Sequence, residues 1–450
     1  MPNKYFHITS LGCAKNTVDS ESMSQILEQN GYQATRKAGD AEILIVNTCG
    51  FIGPAREESY QVLRELAEKK NEGQLLIAAG CLTQRYGAEV IERVPGIDGI
   101  LGTRRWMDIL EVVSGLRQRT HPEPLYHLPT EAMSVGKEEG NILRVASIGH
   151  SAYIKIADGC RRPCAFCAIP LIKGTAVSRP LESILNEARA LQEQGVREII
   201  LIAQDTTDYG HDLGIKNGLA HLLEKMTAAA PDVDWIRILY AYPGYVTDEL
   251  IESMAAHKQI LPYLDIPLQH AHPETLRRMR RPANMDWVYN TLEKMRTAMP
   301  DFVLRTTFIV GYPGETEEEF RTLLDFIQEI QFDRVGAFTY SFEADTPAES
   351  LGDPIPDEIK QERLTQLMTL QQKISLSKNQ SLIGKTLDVL IEGCGEVAGS
   401  DEEIAIGRTY RDAPEIDGMV FVDGRSPIGE IVPVKINGAM TYDLTGSVAG

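Results

Sequence analysis

The stretch ADGCRRPCAFCAIP, residues 157–170, places three cysteines, Cys160, Cys164 and Cys167, within eight residues. The residues before it, AYIKI, have the apolar character of a buried strand, and PLESILNEARALQEQG after it has the pattern of a helix that ends at Gly195. Strand and helix patterns of this kind recur roughly six times between residues 146 and 375. Six units are too few for a closed eight-stranded barrel. The sequence therefore predicts an open, partial (β/α)6 barrel with the cysteine loop at the carboxyl ends of its strands.

The spacing of the three cysteines indicates a metal centre. Three thiolates so close in sequence can converge on one polynuclear centre, and soft thiolate ligands favour iron-sulfur clusters or zinc. An iron-sulfur cluster held by three cysteines leaves one iron open to a substrate or cofactor, which is what a catalytic cluster needs. The alternative is a structural zinc site that is completed by a distant cysteine or histidine.

Three further cysteines follow strand patterns in residues 1–118. The strands KYFHITSLGC, AEILIVNTCG and QLLIAAGC end at Cys13, Cys49 and Cys81, and helical patterns separate them. Apolar strands that alternate with helices predict a parallel sheet covered on both faces, and ligands collect at the carboxyl edge of such sheets. We therefore expect a second ligand set at this edge, although three unrelated buried cysteines would give the same pattern.

Two other segments complete the predicted architecture, which is of the α/β class. Residues 119–145 contain Pro, Gly and charged residues without periodicity and are predicted to form a linker. Residues 377–446 contain short strands broken by Gly, Pro and Asp, which predicts a small β-barrel.

Composition restricts the kind of protein. A net charge of −19 argues against a general affinity for nucleic acid, which requires basic surface. No apolar run approaches the roughly 18 residues of a membrane span, and the opening MPNKYFHITSLGC lacks the pattern of a secretory signal. We therefore expect a cytoplasmic protein, in which cysteines stay reduced and serve as ligands, nucleophiles or core residues.

Several motifs resemble those of a known family. CRRPCAFCAIP after a first strand is similar to the cluster loop of the radical S-adenosylmethionine superfamily. The motifs SLGCAKNTVDSE, NTCGFI, AAGCL, YLDIPLQH, LRRMRRP and RTTFIVGYPGETEEEF resemble the methylthiotransferases of that superfamily. The resemblance covers nearly the whole chain and implies a cluster-binding N-terminal domain, a radical core and a C-terminal TRAM domain.

The resemblance implies roles for individual residues. Cys160, Cys164 and Cys167 would hold a [4Fe-4S] cluster that binds and reductively cleaves S-adenosylmethionine. Cys13, Cys49 and Cys81 would hold a second [4Fe-4S] cluster that carries the sulfur to be inserted. Further contacts with S-adenosylmethionine are expected from Gln204, Asp205, Arg305, Thr307 and Glu315. Arg305 could equally pair with a neighbouring carboxylate, and Glu315 could cap a helix.

The family modifies either an adenosine of transfer RNA or an aspartate of a small-subunit ribosomal protein. The opening SLGCAKNTVDSE resembles the ribosomal-protein enzymes, which implies methylthiolation of an aspartate β-carbon, together with an electron donor such as flavodoxin or ferredoxin and a sulfur donor. Residues 377–450 carry six Lys or Arg against twelve Asp or Glu, a balance that repels a phosphate backbone and attracts a basic ribosomal protein. This acidity would also serve solubility alone. A transfer-RNA enzyme with a basic path through LRRMRRP and CRRPC, and a non-enzymatic metal-binding module, are the alternatives.

Overall fold

The computed structural model describes residues 4–119, 123–129, 142–396 and 403–449. Its first part is a parallel sheet in the order β2-β1-β3-β4-β5-β6. The strands are β1 (Tyr5–Ser10), β2 (Gln33–Ala34), β3 (Ile43–Thr48), β4 (Leu75–Gly80), β5 (Gly99–Gly102) and β6 (Leu125–His127). The helices are α1 (Ala14–Gln29), α2 (Gly53–Lys69), α3 (Cys81–Tyr86), α4 (Glu89–Arg93) and α5 (Ile109–Gln118).

The central strands of this sheet are buried on both faces. Alternate residues of β3 and β4 pack into two separate apolar clusters, one with α1 and α5 and the other with α2 and α4. This arrangement explains their continuous apolar sequences. In the segment 119–145, β6 pairs with β5 as a further strand of the sheet. Residues 120–122 and 130–141 of that segment lie outside the described residues.

The second part is the partial (β/α)6 barrel that the sequence predicts. Its sheet has the order β15-β14-β13-β12-β11-β8-β7, in which six strands are parallel and β7 runs antiparallel to β8. The strands are β7 (Val145–Ile148), β8 (Ser151–Lys155), β9 (Ala157–Asp158), β10 (Val177–Ser178), β11 (Glu198–Ile202), β12 (Trp235–Ile238), β13 (Ile260–Asp265), β14 (Val303–Val310) and β15 (Arg334–Thr339). The helices are α6 (Ile169–Lys173), α7 (Leu181–Glu193), α8 (Gly218–Ala229), α9 (Asp248–Ala256), α10 (Pro273–Arg278), α11 (Met285–Ala298), α12 (Glu317–Ile330) and α13 (Asp357–Gln380).

The third part is a closed five-stranded barrel in the order β16-β17-β18-β20-β19, which confirms the predicted C-terminal β-barrel. Its strands are β16 (Thr386–Glu396), β17 (Glu403–Thr409), β18 (Val420–Asp423), β19 (Ile431–Ala439) and β20 (Leu444–Val448). No helix in the described ranges is both long and apolar enough to cross a membrane.

The C-terminal barrel packs against the amino ends of the (β/α)6 strands. Arg408 donates a hydrogen bond of 2.7 Å to Glu198, the first residue of β11. Arg334, the first residue of β15, forms an ion pair with Asp412. The amino end of the barrel is therefore covered by the C-terminal part of the chain, and the carboxyl ends are left for the cysteine loop.

A buried ion network joins the N-terminal sheet to the barrel. Asp19 in α1 accepts hydrogen bonds from Arg144 at 2.5 Å, from Lys155 at 2.7 Å and from Lys173 at 3.1 Å. Burial alone would raise the pKa of Asp19, but the three cations hold it well below its ordinary range. Because α1 begins immediately after Cys13, this network positions one cysteine triplet relative to the other.

Candidate functional site

Cys13, Cys49 and Cys81, the sheet triplet, gather at one edge of the N-terminal sheet. The three cysteines follow β1, β3 and β4, which are neighbouring parallel strands. A Cβ atom added to Gly12 would lie 3.2 Å from Cys49 Sγ, and one added to Gly50 would lie 2.7 Å from the backbone of Leu82. The turns after the three strands are therefore in direct contact, as the strand-end pattern predicts.

Asn16, which the sequence analysis did not single out, links these turns. Its Nδ2 donates hydrogen bonds to the carbonyl oxygens of Leu11 at 2.9 Å and Thr48 at 3.1 Å. Its own carbonyl oxygen accepts a hydrogen bond of 2.8 Å from Asn47 Nδ2, and its Oδ1 lies 3.7 Å from Cys81 Sγ. One side chain thus fixes the ends of all three strands.

The three thiols of the sheet triplet differ in acidity. Burial raises the pKa of Cys49, and it raises the pKa of Cys81 to about 12. Burial also acts on Cys13, but the Lys15 ammonium, the Asn16 backbone N–H and the Lys173 ammonium together lower the pKa of Cys13 below its ordinary value. Since metal binding requires thiolates, we expect a bound metal to deprotonate Cys49 and Cys81.

Cys160, Cys164 and Cys167, the loop triplet, lie in the turn between β9 and α6. Gly159 has φ +73°, and an added Cβ would lie 2.0 Å from Thr175 O, so only glycine fits before Cys160. The backbone N–H of Cys160 donates to Gly174 O at 3.0 Å, and the N–H of Cys167 donates to Cys164 O at 3.2 Å. The loop is therefore held mainly by its own backbone.

Cations and phenols surround the loop triplet. Arg281 Nη1 lies 3.4 Å from Cys164 Sγ, and Tyr242 Oη lies 3.7 Å from the same sulfur. Burial raises the pKa of Cys160 to about 11 and that of Cys167 to about 12. Arg281 and Tyr242 were missed by the sequence analysis, because neither is close to the cysteines along the chain.

A cavity of about 230 Å³ is lined by all three cysteines of the loop triplet and by two residues that closely follow cysteines of the sheet triplet. The N-terminal sheet domain contributes Lys15 and Phe51, each two residues after a cysteine of the sheet triplet. The barrel contributes the loop triplet and the remaining lining residues, which are Arg162, Phe166, Ile169, Gln204, Tyr240, Ala241, Tyr242, Pro267, Gln269 and Arg281.

Two of the five predicted contacts for S-adenosylmethionine lie at or beside this cavity. Gln204 lines it. Asp205 is buried and accepts a hydrogen bond of 2.6 Å from Arg162 Nε, so it supports the cysteine loop. Burial raises the pKa of Asp205, against the effect of Arg162.

The other three predicted contacts do not belong to the set of residues that line the cavity. Arg305 donates a hydrogen bond of 2.9 Å to Asp265. Burial would lower the pKa of Arg305, but Asp265 and the other acidic groups around it raise that pKa above its ordinary value. Thr307 accepts a hydrogen bond from the Gln269 backbone N–H at 2.8 Å through its carbonyl oxygen. Glu315 is fully buried, 3.0 Å from His270 Nε2 and 2.7 Å from Arg363 Nη1. The cap of α12 is instead Thr316, which forms a capping box with Glu319.

The donor sets fit iron-sulfur clusters better than single zinc ions. Tetrahedral zinc requires sulfur ligands about 3.8 Å apart. Over the described ranges, the only three Cys, His, Asp or Glu ligand atoms within 4.8 Å of one another belong to Asp108, Glu111 and His127, none of which is a cysteine. Neither triplet has the compact geometry that one ion needs, and three soft thiolates spread more widely are typical ligands of a polynuclear cluster.

Comparison with known proteins agrees with this division of the chain. The Radical SAM superfamily matches residues 154–327, the TRAM domain matches residues 383–449, and Uncharacterized protein family UPF0004 matches residues 5–102. The three matches fall in the (β/α)6 barrel, the C-terminal five-stranded barrel and the N-terminal sheet, respectively.

Full-length relatives define the family. The chain is 48% identical to the ribosomal protein uS12 methylthiotransferase RimO of Chloroflexus aurantiacus, over 98% of this chain and 99% of the relative. The chain belongs to the family of ribosomal protein uS12 methylthiotransferases. Other members are that of Desulforamulus reducens, at 46% identity over 98% and 99% of the two chains, and that of Synechocystis, at 44% over 98% and 97%. The methylthiotransferase family predicted from the motifs is confirmed.

Solved structures share the fold at low sequence identity. The radical S-adenosylmethionine methyltransferase TsrM of Kitasatospora setae matches with a TM-score of 0.58 and 14% identity, over 88% of this chain and 79% of that chain. The cobalamin-dependent S-adenosylmethionine radical enzyme OxsB matches with a TM-score of 0.51 and 11% identity, over 82% and 56%. These likenesses confirm a radical S-adenosylmethionine fold.

Proposed function

We propose that this protein methylthiolates the β-carbon of an aspartate in ribosomal protein uS12. The observation that supports the proposal is a cavity lined by one cysteine triplet and by Lys15 and Phe51, which follow Cys13 and Cys49 of the second triplet in another domain. Full-length identity to relatives named for uS12 supports the choice of substrate. The acidic C-terminal barrel supports it too, because its charge favours an encounter with a basic ribosomal protein.

Cys160, Cys164 and Cys167 would hold the [4Fe-4S] cluster that binds S-adenosylmethionine, and Cys13, Cys49 and Cys81 would hold a second one. When bound, these groups supply hydrogen abstraction from an unactivated carbon and the sulfur that replaces the hydrogen. An electron donor such as flavodoxin or ferredoxin, and a sulfur donor, would complete the reaction. We propose that the three domains have the bounds that the sequence indicates: the N-terminal domain at 1–118, the radical core at 146–375 and the TRAM domain at 377–446.

The chain's own residues prepare the cavity for this chemistry. Arg281 places a positive charge 3.4 Å from Cys164 Sγ, where it would offset negative charge on a bound cluster. Phe51 and Phe166 cover the cavity from its two sides with apolar surface, which limits the access of water to a reactive centre. Gln204 and Gln269 supply neutral amide groups in the same wall for polar parts of a ligand.

The experiment is anaerobic modification followed by mass spectrometry. The reconstituted protein is incubated with S-adenosylmethionine, sulfide and reductant, together with either uS12 or transfer RNA. We expect a gain of about 46 Da on one aspartate of uS12, the replacement of H by SCH3, and no gain in Cys164→Ala or Cys49→Ala. The same gain in mass on an adenosine of transfer RNA, with uS12 unmodified, would overturn the proposal that uS12 is the substrate.

A further inference from the structure

Lys15 is a buried lysine without an acidic partner. Its side chain lines the cavity at the loop triplet, and the residue is only 5% exposed. Three other lysines in the described ranges are buried, and each forms ion pairs with carboxylates: Lys155, Lys173 and Lys360. For Lys15 the described residues provide neither an ion pair nor a hydrogen bond to the ammonium. A buried cation without a counter-ion is costly, so its retention points to an anion that arrives from outside the chain.

The groups around Lys15 are arranged to hold the ammonium without neutralising it. Lys15 Nζ lies 3.1 Å from the centroid of the Tyr240 ring, a cation–π contact that supplies no negative charge. The barrel acid that acts electrostatically on Lys15 is Asp265, which is already bound by Arg305 at 2.9 Å. On the N-terminal side, Cys13 and Cys81 act on Lys15 when they are ionised, and a cluster would take up both thiolates.

Strained backbone on the opposite wall also indicates a prepared binding site. Tyr240 and Gln269, which both line the cavity, have positive φ values of 62° and 74°. Neither residue is glycine, so each conformation is held by its surroundings, and such strain concentrates at functional sites. Gln269 Oε1 is buried and has no hydrogen-bond partner among the described residues, so this wall also offers an unused polar atom.

We propose that Lys15 binds the side-chain carboxylate of the substrate aspartate and thereby selects aspartate and places its β-carbon between the two triplets. This inference rests on the proposed function. The β-carbon of aspartate is bonded directly to the carboxylate carbon. A cation that holds the carboxylate in the cavity therefore leaves the reacting carbon one bond away from the anchored group. An ammonium and a carboxylate form a charge-assisted hydrogen bond, whereas asparagine offers only a neutral amide.

The test measures binding and needs no turnover. Reconstituted holoenzyme is titrated anaerobically, without reductant, with uS12 and with uS12 whose modified aspartate is changed to asparagine. The variants are Lys15→Met, which removes the charge at similar length, and Lys15→Arg, which keeps it. Lys360→Met is the matched control, because Lys360 is a buried lysine outside the cavity lining whose ammonium already has carboxylate partners. Samples are matched for iron content.

We expect the wild type to bind the aspartate form about 10-fold to 100-fold more tightly than the asparagine form, the range for one hydrogen bond to a charged group. Lys15→Met should bind both forms equally, whereas Lys15→Arg and Lys360→Met should keep a preference for aspartate. A preference that survives in Lys15→Met would overturn the proposal, and so would a wild type that binds both forms equally while still forming the product. Absence of a product on uS12 in the wild type would instead refute the proposed function itself.

Discussion

The two cysteine triplets are assembled in opposite ways. The loop triplet lies within eight residues of one turn, and backbone hydrogen bonds of that turn shape it. The sheet triplet draws on three strands spread over 69 residues, from Cys13 to Cys81, and it depends on sheet register and on Asn16. A ligand set within one loop can therefore be predicted from the spacing of its cysteines along the sequence. A ligand set drawn from several strands comes together only when the chain has folded.

The largest effects should come from removing one ligand of each triplet. Cys49→Ala and Cys164→Ala should each lose about half of the iron, roughly four of eight atoms for two [4Fe-4S] clusters. Both variants should form no modified uS12, but only Cys164→Ala should lose cleavage of S-adenosylmethionine. Iron analysis and chromatography of 5′-deoxyadenosine check this. Equal loss of cleavage in both variants would refute the separate roles.

The ion network at Asp19 should support both triplets together. Asp19→Asn leaves three buried cations with Asp158 as their one remaining shared carboxylate in the described ranges, which should cost about 3–5 kcal/mol of unfolding free energy. Iron should fall in both sites, because the network joins α1 to the residues beside the cysteine loop. The control is Glu21→Gln, an exposed carboxylate on the same helix.

The ion network at Asp19 should also make the stability of the folded protein depend on pH. The pKa of Asp19 is lower in the folded protein than its ordinary value of 3.8. Its contribution to stability is therefore complete above that value and is lost as the pH falls below it, because the unfolded chain then binds the proton first. Denaturant titrations between pH 5 and pH 3 should show a steeper acid loss in the wild type than in Asp19→Asn. Parallel curves would argue against the network.

Paired glycine substitutions should separate the two triplets. Gly80 has φ +102°, and an added Cβ would lie 2.6 Å from Thr48 O; Gly159 meets Thr175 O even more closely. Gly80→Ala and Gly159→Ala should each lower the unfolding free energy by more than about 2 kcal/mol. Gly80→Ala should lose iron from the sheet triplet alone and Gly159→Ala from the loop triplet alone, as read by Mössbauer or paramagnetic resonance spectra. Gly195→Ala, which has a similar φ of +80° but open space around its Cβ, is the control.

The smallest effect on stability should come from Lys15. Lys15→Met removes an ammonium that has no carboxylate partner in the described part of the chain, so the lost cation–π contact of about 1 kcal/mol is balanced by relief from a buried charge. Lys173→Met, in contrast, should lower the melting temperature, because it breaks ion pairs with Asp19 and Asp158. Thermal unfolding under anaerobic conditions checks the contrast. A large loss of stability in Lys15→Met would contradict this expectation and would indicate that Lys15 has a structural role.

Much of this architecture follows from sequence patterns. The fold class and the meeting of Cys13, Cys49 and Cys81 follow from alternating strands and helices, because parallel strands place their carboxyl ends together. The single polar residues that complete the site did not emerge in this way. Lys15, Asn16 and Asp19 lie within six residues after Cys13, and the sequence does not distinguish their roles. Only tertiary contacts show that Lys15 has no ion pair among the described residues, that Asn16 links the strand ends and that Asp19 binds three cations.

The predicted contacts on β14 and after it illustrate the same limit. Arg305 and Glu315 follow plausible motifs, yet their charges are matched by Asp265 and by Arg363, whose positions depend on strand pairing and on the packing of α13. Their role as ligands of S-adenosylmethionine stays a prediction. The unpaired polar atoms of the cavity, such as Gln269 Oε1, became evident only from the structure.

We propose that both triplets act on one substrate in one cavity. The most direct test mixes Cys49→Ala with Cys164→Ala, so that each chain retains one intact triplet, and then assays uS12 by mass spectrometry. If both triplets must flank the same cavity, the mixture should form no more methylthiolated aspartate than either variant alone. Recovery of the product in the mixture, at a level that rises with the amount of the second variant, would show that the two triplets work in separate molecules and would contradict the account.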